Sequence, residues 1–327
     1  MIINDKISFQ LPWVVQLKKN AIPILLDAAP LPVRYLVFRD ILEDTSSPDF
    51  EALQKNLRKH QPRRKKLAAQ NSQGLWPIAG SVKGLDGRQI QTMQFLAQVE
   101  ALHELSELLL TEKSEKAMLG MREVVRYLAE KDLRLRLHPI TQAIYLAIHF
   151  KLEGSPIIKQ LIRDILSEQN ADGGWSSLPD DKQSCIWSSL FFLWTMGHSE
   201  KFPGNRVLQK GLGYLRENLL MADRSLLLPG LQTWDTLITG SSGLSAITGG
   251  SLRYLETLQL YADDRKDRKA EKLLDWLMDI QLKNGLWPSI VGRDRQGDHN
   301  VTLRVLKVMK HFQGRRLQEA LDYDQYN

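Results

Sequence analysis

The chain has a single cysteine, Cys185, in 327 residues. No intrachain disulfide can form, so a reducing cytoplasm fits. The start, Met1-Ile2-Ile3-Asn4-Asp5, has no basic segment followed by an apolar one and does not read as a secretory signal. The longest compact apolar stretch, Ile186 to Trp194, contains two serines and is far too short to span a bilayer. The sequence therefore predicts a soluble cytoplasmic protein with no transmembrane segment. Also absent are a Walker loop, a nucleotide-binding Gly-x-Gly-x-x-Gly, His-Glu-x-x-His and Gly-x-Ser-x-Gly, which removes the signatures of the commonest nucleotide, metalloprotease and serine-hydrolase chemistries.

What is present is ordinary globular composition, 43% hydrophobic and 25% charged. A chain of this length can bury a large core. The formal net charge is +6 and the pI about 9.2. Residues 51–100 hold nine Lys/Arg against three Asp/Glu, so this window alone carries +6. Its centre is Arg63-Arg64-Lys65-Lys66, beside His60 and Arg58. The run reads as a solvated helix face, with a phosphate- or lipid-contacting patch as the alternative. No nucleic-acid motif accompanies it, so no specific nucleic-acid binding is expected.

Three segments align without gaps: Gln70-Asn71-Ser72-Gln73-Gly74-Leu75-Trp76, Gln169-Asn170-Ala171-Asp172-Gly173-Gly174-Trp175, and Gln281-Leu282-Lys283-Asn284-Gly285-Leu286-Trp287. Apolar residues at three- and four-residue steps precede the second and third turns and mark an amphipathic helix, as in Ile158, Leu161, Ile162 and Ile165. A second helix follows: from near Thr92 in the first copy, from Ser184-Cys185-Ile186-Trp187 in the second, and from Val301-Thr302-Leu303-Arg304 in the third. The glycine ends the first helix in the left-handed conformation, the tryptophan offers a large surface to the neighbouring repeat, and the glutamine can bond backbone groups freed at the helix end. The motif residues Gln70, Gly74, Trp76, Gln169, Gly173, Trp175, Gln281, Gly285 and Trp287 are structural.

The glutamines lie 99 and 112 residues apart. A two-helix unit takes about 50 residues, so each gap holds two units, one without the signature. With an N-terminal unit from Ile22 to Leu42 the total is six hairpins in one domain over 1–327. They form a closed (α/α)6 toroid, with an open superhelix as the alternative. An irregular glycine-rich insertion lies at about 222–250 and a short flexible tail ends the chain.

At these residues the chain resembles the prenyltransferase and squalene-oxidase repeat family, which includes squalene–hopene cyclases and the β subunits of protein prenyltransferases. Pro32-Val33-Arg34-Tyr35 with Arg39-Asp40-Ile41-Leu42, Ser184-Cys185-Ile186-Trp187 and Val301-Thr302-Leu303-Arg304 are similar to a bacterial squalene-cyclase-like group of unsettled activity. The resemblance implies inner helices around an apolar cavity, with their N-termini gathered at one mouth. There, helix dipoles favour an anion such as a diphosphate.

The chemistry of that family is then tested residue by residue. A squalene-type cyclase needs a protonated Asp in Asp-x-Asp-Asp, and none occurs; Asp180-Asp181 and Asp322-Tyr323-Asp324 do not match. The zinc site of a protein prenyltransferase invites comparison with Asp181, Cys185, Asp298 and His299. Here Asp and Cys are four apart where that family has two, and His299 stands three before Thr302 where the family's His directly precedes Thr. Asp263-Asp264-Arg265-Lys266-Asp267 matches a magnesium-diphosphate motif but reads as a charged loop. Neither zinc nor magnesium is therefore expected. Other polar and aromatic residues at inner-helix starts, Thr92, His138, Thr141, Trp187, Trp234, Asp235, Ser251 and Thr302, mark where a cavity would be lined.

Three functional readings stay open. The first is a toroid whose apolar cavity binds an isoprenoid, an isoprenoid diphosphate or another hydrophobic small molecule, with cyclase- or transferase-like catalysis at Asp181, Cys185, Asp298 and His299. The second is a non-catalytic binding or scaffolding protein. The third is a glycan-active toroid enzyme working through an acidic pair, Asp180 or Asp181 with Asp235 or Asp298. Oligomeric state is not legible.

Overall fold

The computed structural model describes residues 11–129, 137–178, 181–202, 204–218, 237, 250–261 and 267–325, with side chains of the last helix as far as residue 314. Among these residues the architecture is all-α, as the sequence predicts, and the β pairing is confined to an isolated bridge between Trp287 and Asp298.

In chain order, a 3-10 turn over Pro12–Gln16 leads to α1 (Ile22–Ala28) and α2 (Leu31–Leu36), which runs on as a π-helical turn over Val37–Leu42. Then come α3 (Pro48–Arg58), α4 (Gln61–Ala68), α5 (Gly87–Glu107), α6 (Glu115–Ala129), α7 (Leu137–His149), α8 (Pro156–Ser167), α9 (Ile186–Gly197) and α10 (Arg206–Asn218). The chain continues in α11 (Gly250–Tyr261), α12 (Arg268–Asp279) and α13 (His299–Gln325). Two compact units result: Met1–Arg58 with Met221–Ile238 and Gly249–Asn327, and Lys59–Leu220 with Thr239–Thr248.

In the Lys59–Leu220 unit, α5, α7 and α9 pack side by side as one layer, with α6, α8 and α10 against them. The second-layer helices are amphipathic: α8 buries Ile158, Ile162 and Ile165 on one stripe. By contrast α9 is apolar on nearly every side and is buried on nearly every side. Helix α5 begins at Gly87, ahead of the expected start near Thr92. A capping box sets it there: Asp86 accepts from the Gln89 amide at 2.8 Å, and the Gln89 side chain accepts from the Asp86 amide at 2.9 Å. In the other unit, α2, α13 and α11 form the corresponding layer, with α1 on α2 and α12 on α11.

All three Gln-x3-Gly-x-Trp turns use one scheme of hydrogen bonds. The glycine sits at positive φ, +87°, +94° and +95° for Gly74, Gly173 and Gly285. The glutamine side-chain amide donates to that glycine's neighbourhood and beyond: Gln70 to Gly74 O and Lys116 O, Gln169 to Gly173 O and Val207 O, Gln281 to Gly285 O and Lys19 O. The tryptophan indole donates to the carbonyl ten residues back, at Lys66, Ile165 and Leu277. Its backbone amide donates to a side chain on the following helix, Gln98, Ser189 or Thr302. Thus Gln70 and Gln169 tie their hairpins to the helix that comes next, while Gln281 ties its own to the segment before α1. The first hairpin stands to the third turn as the following hairpin stands to each of the other two.

Candidate functional site

The residues singled out from sequence resolve mainly into capping and packing groups. Asp181 is exposed in the loop before α9; its Oδ1 accepts from the Gln183 amide at 2.9 Å, and its carbonyl accepts from the Ser176 hydroxyl. Cys185 is the N-cap of α9, half-buried, its amide donating to Trp175 O at 2.8 Å. Asp298 caps α13 through Oδ1 and the Val301 amide at 2.9 Å, and His299 is the first residue of that helix. Asp181 and Cys185 belong to one unit, Asp298 and His299 to the other.

Thr302 is buried and accepts from the Trp287 amide at 2.9 Å. Thr141, Trp187 and Ser251 are buried, and Thr92 is half-buried. His138 Nε2 lies 3.3 Å from the Ser188 hydroxyl, joining α7 to α9. Asp267 caps α12, accepting from the Lys269 amide at 2.8 Å, and also accepts from the Tyr254 hydroxyl. Trp234, Asp235, Asp180, Asp263, Asp264 and most of the 222–250 insertion lie outside the described residues. Among the described residues no three His, Cys, Asp or Glu side chains gather closely enough to hold a metal ion.

A cluster that the sequence reading missed lies at the other end of the same layer, where α5, α7 and α9 finish. From Thr141 to Ala147 every residue of α7 is buried except Tyr145, and from Ile186 to Met196 every residue of α9 is buried except Trp194. These two rings meet at 4.7 Å between centroids, tilted by 32°. Phe191 backs Trp194 at 5.8 Å in a near-parallel stack. Two neighbouring apolar helices therefore open to solvent, over these stretches, only through a Tyr–Trp pair.

Three histidines surround the pair. His198, the C-cap of α9, stands edge-on to Tyr145 at 5.4 Å and lies 4.3 Å from Trp194. His103 on α5 lies 5.9 Å from Tyr145, and His149, the last residue of α7, 6.3 Å. A carbonyl can only accept, so hydrogen bonds fix two tautomers. His198 Nδ1 donates to Trp194 O and His149 Nε2 donates to Leu110 O, both at 2.8 Å. In the neutral ring the lone pair then sits on His198 Nε2 and on His149 Nδ1. Glu107 brings a carboxylate oxygen to 3.7 Å from His103 Nδ1. Gln142 is one face of α7 with Tyr145 and His149, at i, i+3 and i+7, and is 5% exposed; its Nε2 has no hydrogen-bond partner among the described residues.

The backbone that supports the cluster is built the same way twice. Helices α5 and α7 each end with a non-glycine in the left-handed region, Leu109 at φ 61° and Lys151 at φ 58°. In both the next amide reaches back five residues, Leu110 N to Leu105 O and Leu152 N to Ala147 O. The first of these turns presents the Leu110 carbonyl that His149 meets. The arrangement supplies a flat aromatic platform, lone-pair nitrogens fixed in orientation, a phenol and an amide donor, the components of proton transfer on a bound polar ring.

No family model matches the chain, and no curated protein matches it. A solved structure of a polysaccharide lyase is similar to it with a TM-score of 0.51 at 11% identity, over 96% of this chain and 98% of that one. At that identity the likeness is one of fold. These findings correct the resemblance to the prenyltransferase and squalene-cyclase repeat family, and with it the expectation of an isoprenoid ligand. The physical reason lies in the Gln-x3-Gly-x-Trp turn, which ends one helix and seats the next largely through main-chain bonds and so carries no chemistry of its own. No helix among the described residues is long and apolar enough to cross a membrane.

Proposed function

We propose that this protein is a glycan-active enzyme of lyase type, acting on an acidic polysaccharide at the Tyr145–Trp194 platform. The observation that carries the reading is the opening of two buried apolar helices to solvent through one tyrosine and one tryptophan, ringed by three histidines. Sugar rings present apolar C–H faces that stack on aromatic side chains, and polar rims that histidine and amide groups can bond. The fold shared with a polysaccharide lyase and the net charge of +6 support a polyanionic substrate.

The corresponding reaction is β-elimination at a uronate. A base removes the proton α to the carboxylate, its C–H electrons form a carbon–carbon double bond, and the glycosidic C–O bond at the β carbon breaks. The departing oxygen takes up a proton. His198, exposed and with its lone pair on Nε2, serves as the base, and the Tyr145 hydroxyl protonates the leaving oxygen. The Gln142 amide, buried and without a partner among the described residues, donates to the carboxylate and so favours the negative charge that develops there.

The test is incubation of the purified protein with polygalacturonate, alginate, hyaluronan and chondroitin, following the ultraviolet absorbance of the unsaturated product. Tyr145→Phe and His198→Gln should each lower kcat/KM by about 100-fold or more. Trp194→Ala should act mainly on KM. If none of these polymers is cleaved, the proposal fails.

A further inference from the structure

We propose that the exposed face of α4, centred on Arg64 and Lys65, is a docking surface for an anionic polysaccharide chain, holding its carboxylate or sulfate groups outside the Tyr145–Trp194 platform. The proposal rests on the glycan reading of that platform.

Charge in this protein is strongly localised. Residues 51–100 carry all of the net +6, so the rest of the chain has as many acids as bases. Within the window, α4 contributes Arg63, Arg64, Lys65 and Lys66 in succession and no acid. Not one of its eight residues is buried. A helix normally persists through an apolar face packed on the core. Helix α4 is instead held near its C-terminal end by polar bonds: Trp76 Nε1 to Lys66 O at 2.8 Å, Lys116 Nζ to Leu67 O at 3.1 Å, and the Lys66–Glu104 ion pair at 2.6 Å. Its N-terminal half is left facing solvent.

The placement of the charges works against the helix itself. Arg63 and Arg64 stand in its first turn, where the macrodipole is positive and acids are favoured. Beside them His60 is held below its usual range, by burial first and then by the Arg63 charge. Arg64 and Lys65 make no ion pair among the described residues. Arg64 and Lys65 thus leave their charges to solvent, and a polyanion laid across them would meet a concentrated field.

Two features choose the polymer. The run contains no aromatic side chain, and the nearby Trp76 is buried, so the surface lacks the stacking platforms that single-stranded nucleic acid uses. And α4 is bound through Lys66 to Glu104, the residue next to His103. The basic run is therefore tied to α5 one residue along from His103 of the cluster.

The experiment compares the full-length protein with Arg64→Gln/Lys65→Gln, a pair of exposed positions given a good helix former. Binding to polygalacturonate, to neutral dextran and to duplex DNA is measured over a sodium chloride series. For polygalacturonate, log affinity should fall linearly with log salt, and the variant's slope should be smaller by roughly one per lost cation. Dextran should not bind. Unchanged polygalacturonate binding in the variant would overturn the proposal. So would duplex DNA binding at least as tightly as polygalacturonate with the same loss in the variant, which would make α4 a nucleic-acid surface. Cleavage of oligogalacturonides, compared between wild type and His198→Gln, separates the two readings. If no unsaturated product forms from these or from alginate, hyaluronan or chondroitin, yet the variant still loses polymer binding, the lyase reading falls and the docking surface stands. If His198-dependent cleavage occurs yet polymer binding is unaffected by the variant, the docking surface alone falls.

Discussion

The side-chain amide of Gln281 donates to the backbone carbonyl of Lys19, 262 positions earlier in the chain, at 2.7 Å. It donates to Gly285 O as well, at 2.8 Å, and its own oxygen accepts from the Lys19 amide at 3.2 Å. One buried side chain therefore joins the third turn to the first hairpin. Replacing Gln281 by Leu leaves these backbone groups without partners, and each unsatisfied buried group costs roughly 1–3 kcal/mol. The expected outcome is a clear drop in the urea midpoint of unfolding, with Gln281→Glu no rescue because a carboxylate cannot donate.

A second prediction uses glycines that share a helix. A Cβ on Gly211 would sit 2.6 Å from the Trp175 ring, whereas on Gly213 it would meet nothing within 4 Å. Gly211→Ala should push Trp175 out of its seat and destabilise by about 1–3 kcal/mol, the usual range for overpacking. Gly213→Ala should stabilise by about 0.5–1 kcal/mol through the backbone entropy of the unfolded chain. Gly120 faces Trp76 at 2.4 Å and should behave like Gly211. Thermal melts of the three variants decide.

The left-handed residue that ends α7 gives a third. Lys151 is exposed and occupies a position that glycine fills most readily. Lys151→Gly should raise stability by up to about 1 kcal/mol, since the left-handed conformation costs a side-chain-bearing residue roughly 1–2 kcal/mol and glycine's added chain entropy returns part of that. A melting temperature that falls would mean the lysine contributes something beyond its backbone.

Stability should also vary with pH in a defined way. Burial alone would raise the Glu256 carboxyl, but the charge and hydrogen bonds of Arg304, at 2.6 and 2.8 Å, hold it below its ordinary value. Asp40 is held low in the same sense, burial being outweighed by Arg39 and Lys307. Groups with depressed folded values bind protons less tightly when folded, so their contribution is fully present above the ordinary carboxylate range and is lost as the pH falls from that range through the lower folded values. On the alkaline side, burial, then Asp172 and Cys185, push Tyr214 up to about 12. The unfolded chain releases that proton first, so stability falls between about 10 and 12. Denaturant titrations should show both limbs, with Glu256→Gln flattening the acid limb and Tyr214→Phe the alkaline one.

Much of the architecture was legible in the sequence because the Gln-x3-Gly-x-Trp turn has strict demands. A positive φ requires the glycine, and the glutamine is there to satisfy carbonyls that a helix end exposes. The start of α5 was harder to place, because Asp86 and Gln89 form a capping box in a polar loop with no apolar periodicity to announce it. The candidate aromatic cluster went unread for a different reason. Sequence reasoning looked to the N-terminal ends of the layer helices, where dipoles attract anions, and so favoured Cys185, Trp187, His299 and Thr302. The aromatic cluster stands at the C-terminal ends. Its signal was in the chain as three four-residue pairs, His103 with Glu107, Tyr145 with His149 and Trp194 with His198, each closing a layer helix. Pairing alone does not say that they converge; the packing of α5 on α7 and α7 on α9 does that.

The glutamine bonds that fasten one hairpin to the next end on the carbonyls of Lys116, Val207 and Lys19. A carbonyl is the same whatever side chain its residue carries, and these three carry two lysines and a valine. Mutation at such positions leaves the glutamine bond intact, so the receiving half of each of these three joints is free to drift. An architecture assembled this way can be inherited long after its sequence has ceased to be recognisable, and kinship between such chains will be found by comparing shapes.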